Sequence, residues 1–262
     1  MFGGGLPSKG GIMGLVSLIL IAGSIVLMFF VVLSGVTGTT PLDKTYFLEA
    51  DTTRIDGARP ISHWTYFYIC GPENTDCGSP VPALPIGYAW NGGNQGAPFE
   101  LVGDYGKGTT SKYFWYMWRF GWVFYLMALI FNVISFFTCL LAPFSRLASG
   151  VSGFFVASAL FWFTIAASLM TTAFVKARDV LNNNGHPARV GRWAFGFTWG
   201  AWAAMFLATI FLFLGCGAGG SSSRSVPTTR GGIFRRSKHG SKRSRGSFID
   251  TDGTRRVKDD YA

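Results

Sequence analysis

"IMGLVSLILIAGSIVLMFFVVLSGV", residues 12–36, runs for twenty-five residues without a charged side chain. At 1.5 Å per residue, a helix of that length reaches about 37 Å, enough to cross a hydrocarbon layer of ~30 Å. A cleaved signal peptide is the rival reading, because Lys9 precedes the run and small residues follow it. Signal cores are only about 7–15 residues long, so a retained membrane helix is the expectation. Three more runs resemble it: "FGWVFYLMALIFNVISFFTCLLA" (120–142), "VSGFFVASALFWFTIAASLMTTAFV" (151–175) and "WAFGFTWGAWAAMFLATIFLFLGC" (193–216). The chain is 49% hydrophobic and only 14% charged, and its apolar residues are gathered into these four blocks. That distribution reads as four membrane spans, not as the core of an aqueous domain.

The expected layout follows from the blocks. Residues 1–11 precede the first span (12–36), and 37–112 form a long polar loop. Residues 113–142 hold an aromatic belt and the second span, and 143–150 a short loop. The third span (151–175) leads into a second loop (176–192), the fourth span (193–216) and a basic tail (217–262). The tail is Ser, Gly, Arg and Lys with little to bury, a composition that predicts disorder.

Four spans put both termini on one side. Lys9, Arg146 and eleven basic tail residues then share that side, against nine Lys and Arg in the two loops opposite. The excess favours cytosolic termini, and places residues 37–112 and 176–192 outside the cytosol. The long loop carries Lys44, Arg54, Arg59, Lys107 and Lys112 against eight acids. "YFWYMWRFGW" (113–122) then reads as a belt of aromatic rings at headgroup depth, with Arg119 snorkelling or stacking on Trp115 or Trp122.

The long loop also holds "HWTYFYICGPENTDCGSP" (63–80). Outside the cytosol thiols tend to be oxidised, so a Cys70–Cys77 disulfide is expected. Gly71, Pro72, Asn74 and Asp76 between them suit a tight turn. Two free thiols are the alternative, and a zinc site has only His63 as a nearby imidazole. "WTYFYI" (64–69) reads as a strand, so the loop is expected to fold as a disulfide-pinned hairpin. The expected fold class is an all-α membrane protein: a four-transmembrane-helix bundle carrying a small disulfide-pinned extracellular β-sheet.

Trp64, Thr65, Tyr66, Cys70, Gly71, Cys77 and the following "SPVPALPIG" (79–87), set in a tetraspan layout over residues 12–216, resemble the claudin-like superfamily. Within it they are most similar to the fungal Sur-seven/PalI family. Animal claudins carry Gly-Leu-Trp close before the first cysteine. Here that tripeptide is absent and Trp64 lies six residues ahead of Cys70, which argues against paracellular-barrier chemistry. The resemblance implies a non-enzymatic plasma-membrane protein of eisosome-associated domains, tied to endocytosis and cell-wall integrity, with eisosome scaffold proteins as partners. It also admits a PalI-like role, helping a receptor of ambient-pH signalling reach the surface. No catalytic residue, cofactor or metal comes with it.

The spans contain no Asp, Glu, Lys, Arg or His, the groups that pumps, ion-coupled transporters and proton relays place at membrane depth. Asn132 is expected to hydrogen-bond between helices. Gly196, Gly200, Ala204 and Ala208 recur every fourth residue and are expected to form a smooth packing face, within the bundle or in a homo-oligomer. Cys139 and Cys216 lie at the cytosolic ends of their spans as candidate S-palmitoylation sites. In the tail, Arg230, Arg235, Arg236, Lys238, Lys242, Arg243 and Arg245 lie in a stretch free of acids. They are expected to hold anionic inner-leaflet lipid at about 1 kcal/mol per residue, a pull that phosphorylation of Ser237, Ser241, Ser244 or Ser247 would weaken. A membrane-anchored tail is not expected to meet nucleic acid.

Overall fold

The structure is a computed structural model that describes residues 9–90, 93–141 and 146–219. Four long helices account for most of it: α1 (Lys9–Val32), α2 (Lys112–Leu141), α3 (Arg146–Asn183) and α4 (Arg192–Gly219). Each contains a stretch long and apolar enough to cross a membrane: Ile12–Val32, Lys112–Leu140, Gly150–Asn183 and Arg192–Leu214. Large apolar side chains point away from the bundle, including Leu15 at 59%, Phe154 at 67% and Phe213 at 59% exposure. In water such a surface would aggregate, whereas in lipid it is the solvated face.

The helices close into a ring. Asn132 Nδ2 of α2 donates to Ser24 Oγ of α1 at 2.8 Å, the interhelical bond its sequence position suggests. Phe124 stacks on Trp162, and Tyr125 meets Phe163 edge-on, along the α2–α3 seam. Trp202 Nε1 of α4 donates to Thr164 Oγ1 of α3 at 2.8 Å, and Phe197 packs on Phe30 of α1. Ala128, Ala159, Ala166 and Ala201 are fully buried between them, small enough to let the backbones approach closely.

The third helix is longer than its apolar run. Lys176, Arg178 and Asp179 end the hydropathy signal at Val175, and residues 176–192 read as loop. Yet Ala173, Ala177 and Leu181 are fully buried and continue the helical period. The helix therefore runs on to Asn183, and residues Ala188–Val190 form a strand.

That strand, β4, completes a sheet with β1 (Leu48–Asp51), β2 (Ile61–Trp64) and β3 (Ile69–Cys70), antiparallel in the order β3-β2-β1-β4. The sheet is thus four strands drawn from both loops, where a hairpin within one loop was expected. "WTYFYI" is also not one strand. Thr65–Tyr68 turns the chain between β2 and β3, closed by Thr65 N–H on Tyr68 O at 2.9 Å. The turn drives Tyr66 into the top of the bundle, where it is fully buried and donates its hydroxyl to Trp122 O at 2.8 Å. The aromatic belt is accordingly two-faced. Tyr113, Tyr116 and Phe120 stay exposed, while Phe114 and Trp118 turn inward. Trp118 packs edge-on against Phe174, which stacks on Phe47 just ahead of β1. These rings weld sheet to bundle. Arg119 lies over the Trp115 ring at 4.1 Å, the stacking expected of it.

Candidate functional site on the polar face of the sheet

Successive residues of a strand point to opposite faces, so the register sorts the sheet into two rows. Leu48 pairs with Trp64 on one side and Val190 on the other. This row faces the bundle, with Leu48 and Trp64 buried. Trp64 Nε1 donates to Ile86 O at 3.0 Å, so the conspicuous tryptophan ties the Ile86–Trp90 turn under the sheet. Gly87 in that turn has no room for a side chain: a β-carbon there would sit 2.0 Å from Thr109 O.

The next row lies on the other face and reads Cys70, His63, Glu49, Arg189 across all four strands. Arg189 Nη2 donates to Glu49 Oε2 at 2.9 Å and lies 2.8 Å from Oε1 in an ion pair. His63 Nε2 lies 3.1 Å from Glu49 Oε2, and the Tyr46 ring packs on the imidazole at 4.3 Å between centroids. Burial alone would raise the Glu49 pKa, but hydrogen bonds from Arg189 and Tyr46 together with His63 outweigh it and hold the carboxyl below its ordinary value. Burial disfavours the charged imidazole and keeps His63 below its ordinary value, against the pull of Asn74 and Glu49.

At the end of the row, Cys70 and Cys77 are bonded as a disulfide. Cys77 lies in the loop after β3, so the bond closes a loop and does not clamp two strands together. What it frames is Asn74, only 3% exposed. Asn74 Nδ2 donates to Leu42 O at 2.7 Å and Thr45 O at 2.9 Å, and its Oδ1 lies 3.1 Å from His63 Nδ1. Glu73, Asn74 and Asp76 take left-handed backbone conformations, with φ of 56°, 51° and 49°. Asn and Asp tolerate that region better than most residues, and a short covalent loop keeps the chain in it. Gly71 adopts φ −80° and donates its N–H to Thr75 O at 2.7 Å; a β-carbon there would make ordinary contact. The disulfide thus positions one buried amide that joins the Leu42–Thr45 segment to the polar row.

Gly191 brings the start of α4 to the same face. Its N–H donates to Phe47 O at 3.0 Å, and a β-carbon would sit 1.7 Å from Tyr46 O. This contact sets Arg192 and Trp193 beside Tyr46. Together with the polar row they line an open groove of about 320 Å³. Among the described residues, no group of three His, Cys, Asp or Glu side chains is placed to hold a metal ion.

The structure relocates the other residues singled out in the sequence. The buried stripe of α4 is Ala194, Thr198, Ala201, Met205 and Ala208. Of the four-residue repeat, only Ala208 lies on it. Gly196 and Gly200 are exposed, and a β-carbon at Gly196 would meet nothing within 4 Å. The rings Phe195, Phe197 and Trp202 pack against the core and leave Gly196 outward, whereas a β-carbon at Gly200 would make ordinary contact with Leu27 of α1 at 3.5 Å. Cys139 is 6% exposed, in a cluster with Ile21, Val156, Ala208 and Leu212. Acylation at Cys139 would require this packing to open. The side chain of Cys216 and the tail residues Arg230, Arg235, Arg236, Lys238, Lys242, Arg243 and Arg245 lie outside the described residues. Sequence reasoning missed Glu49 and Arg189, because "LEAD" and "ARV" are too short to display an alternating pattern.

Comparison with known proteins places this architecture. The family model described as "SUR7/PalI family" matches residues 13–211. The chain is 30% identical over 200 residues to Protein SUR7 of Candida albicans, covering 76% of this chain and 72% of that one. It is 31% identical over 201 residues to SUR7 family protein FMP45 of Saccharomyces cerevisiae, covering 71% and 63%. An uncharacterized plasma membrane protein of the same yeast, YNL194C, is 26% identical over 190 residues, covering 70% and 62%. The chain thus spans about two thirds of the length of these relatives. The match takes in all four spans, the sheet and the disulfide loop, and the chain belongs to the SUR7/PalI family.

Proposed function

We propose that this protein is a non-enzymatic, multi-pass plasma-membrane protein that organises eisosome-associated membrane domains and thereby influences endocytosis and cell-wall integrity. The observation that carries the reading is the family match over residues 13–211, which runs through the whole four-helix and sheet architecture. A relative named as a plasma membrane protein supports the location. In this reading both termini are cytosolic and the sheet faces the exterior. The Cys70–Cys77 bond supports that sidedness, since disulfides persist in oxidising compartments. So does the crowding of Lys and Arg into the C-terminal residues. The bundle supplies a rigid span, the sheet an outward recognition face, and the tail's basic residues attraction to anionic inner-leaflet lipid. Eisosome scaffold proteins are the cytosolic partners.

Fluorescent tagging in the native cell tests this. Static cortical patches, with slowed endocytosis and wall-stress sensitivity on deletion, are the expected result. A uniform or internal distribution overturns the reading. Lost alkaline adaptation without patches would replace it with a PalI-like accessory role.

A further inference from the structure

The groove on the polar face has a lining whose chemistry selects a ligand class. Its lining includes the His63–Glu49–Arg189 row, in which the Glu49 carboxylate is already paired with the Arg189 guanidinium. Its rim carries Lys44 and Arg192 against Asp43 and Glu73, two charges of each sign. An ionic ligand of either sign would meet its own charge there. A neutral ligand rich in hydroxyls would meet donors and acceptors side by side. Two aromatic rings complete the lining. Tyr46 is fixed against His63, and Trp193 is 43% exposed. Exposed rings of this kind offer an apolar platform beside polar groups, matching the C–H face and hydroxyl rim of a pyranose. The groove's 320 Å³ falls at the lower end of the range for small-ligand sites, ~300–1,000 Å³. It is open to the surface, so a sugar ring can enter it from outside.

We propose that this groove binds a short stretch of neutral polysaccharide, one sugar ring stacking on Trp193 and its hydroxyls engaging the charged rim. The proposal rests on the outward placement of the sheet, and it gives that face a ligand.

The test uses the full chain in nanodiscs of neutral phospholipid, titrated with laminarihexaose, chitohexaose and mannohexaose and followed by tryptophan fluorescence and calorimetry. Saturable binding of at least one of the three is expected, weakened tenfold or more in Trp193→Ala. Arg192→Ala, which alters the rim and leaves the sheet intact, is expected to weaken it about threefold or more. Absence of saturable binding to all three overturns the proposal, as does binding that both variants retain unchanged. Binding confined to vesicles of anionic phospholipid would also overturn it, assigning the groove to a headgroup phosphate. Nanodiscs expose both faces, so these outcomes do not depend on orientation in the cell. An inward-facing sheet in intact cells would defeat the placement while leaving in vitro binding in force.

Discussion

Replacing Asn74 with alanine tests whether the disulfide works through this residue. Asn74 fills three buried positions: the carbonyls of Leu42 and Thr45, and the imidazole of His63. Stranding a buried polar group costs about 1–3 kcal/mol, and part of that is recovered by relaxation, so the three together amount to roughly 3 kcal/mol. Alanine at φ 51° adds about 1 kcal/mol, because the left-handed region disfavours it. The expected loss is therefore about 4 kcal/mol. Closing a loop of sequence separation 7 contributes roughly 2–3 kcal/mol by chain entropy. Independent effects would sum to about 6–7 kcal/mol in the triple variant Cys70→Ser, Cys77→Ser, Asn74→Ala. If the bond acts by seating Asn74, the triple variant should lose only about 4–5 kcal/mol, a coupling of ~2 kcal/mol. Hydrogen exchange of the sheet amides in nanodiscs reads these opening energies locally, with Phe47 and Gly191 as reporters of the contacts just ahead of β1 toward β2 and β4. Additivity within about 0.5 kcal/mol would refute the reasoning, leaving the disulfide and the amide as separate supports.

Other expectations follow from the same contacts. Trp64→Phe keeps an aromatic ring in the core but loses the bond to Ile86 O, so the Ile86–Trp90 turn should exchange faster by about 1 kcal/mol while the helices stay protected. Glu49 and His63 both lie below their ordinary values of 4.5 and 6.5 in the folded chain, so the unfolded chain binds more protons in acid. Their stabilisation is fully present above those ordinary values and is lost as pH falls through the folded ones. Sheet protection, corrected for intrinsic rates, should be flat from pH 7 to 8 and decline on acidification; a rise on acidification would contradict the assignment. Gly191→Ala would drive a β-carbon into Tyr46 O and should block surface delivery, whereas Gly196→Ala meets open space and should be delivered normally.

Long elements declared themselves in the sequence through composition alone. Four uncharged runs require four spans because an apolar helix of that length has no cheaper environment than lipid. The disulfide was legible from the side of the membrane that the charge bias predicts for its loop, and the inward bond of Asn132 from the cost of leaving an amide in hydrocarbon. The details that failed depend on which way a side chain turns. Hydropathy lost α3 at Lys176, although Ala177 and Leu181 still marked the buried face. Spacing found a small-residue stripe on α4, but spacing does not say which of its members meet a neighbour: Ala208 is buried and Gly200 lies against Leu27, while Gly196 faces open space. The polar row was hidden because each strand contributes one residue to it. Glu49, His63 and Arg189 are scattered along 140 residues, and only strand pairing brings them together.

The central claim is that four spans hold the Cys70–Cys77 loop on the exterior side of the membrane. Labelling intact spheroplasts with a membrane-impermeant maleimide tests it most directly, in a Cys139→Ser, Cys216→Ser background where these two thiols are the only ones left. The account predicts no labelling until an impermeant reductant is added, and then labelling at Cys77, the partly exposed member of the pair, without permeabilisation. Labelling that appears only after the membrane is opened, or labelling of intact spheroplasts without reductant, would contradict it.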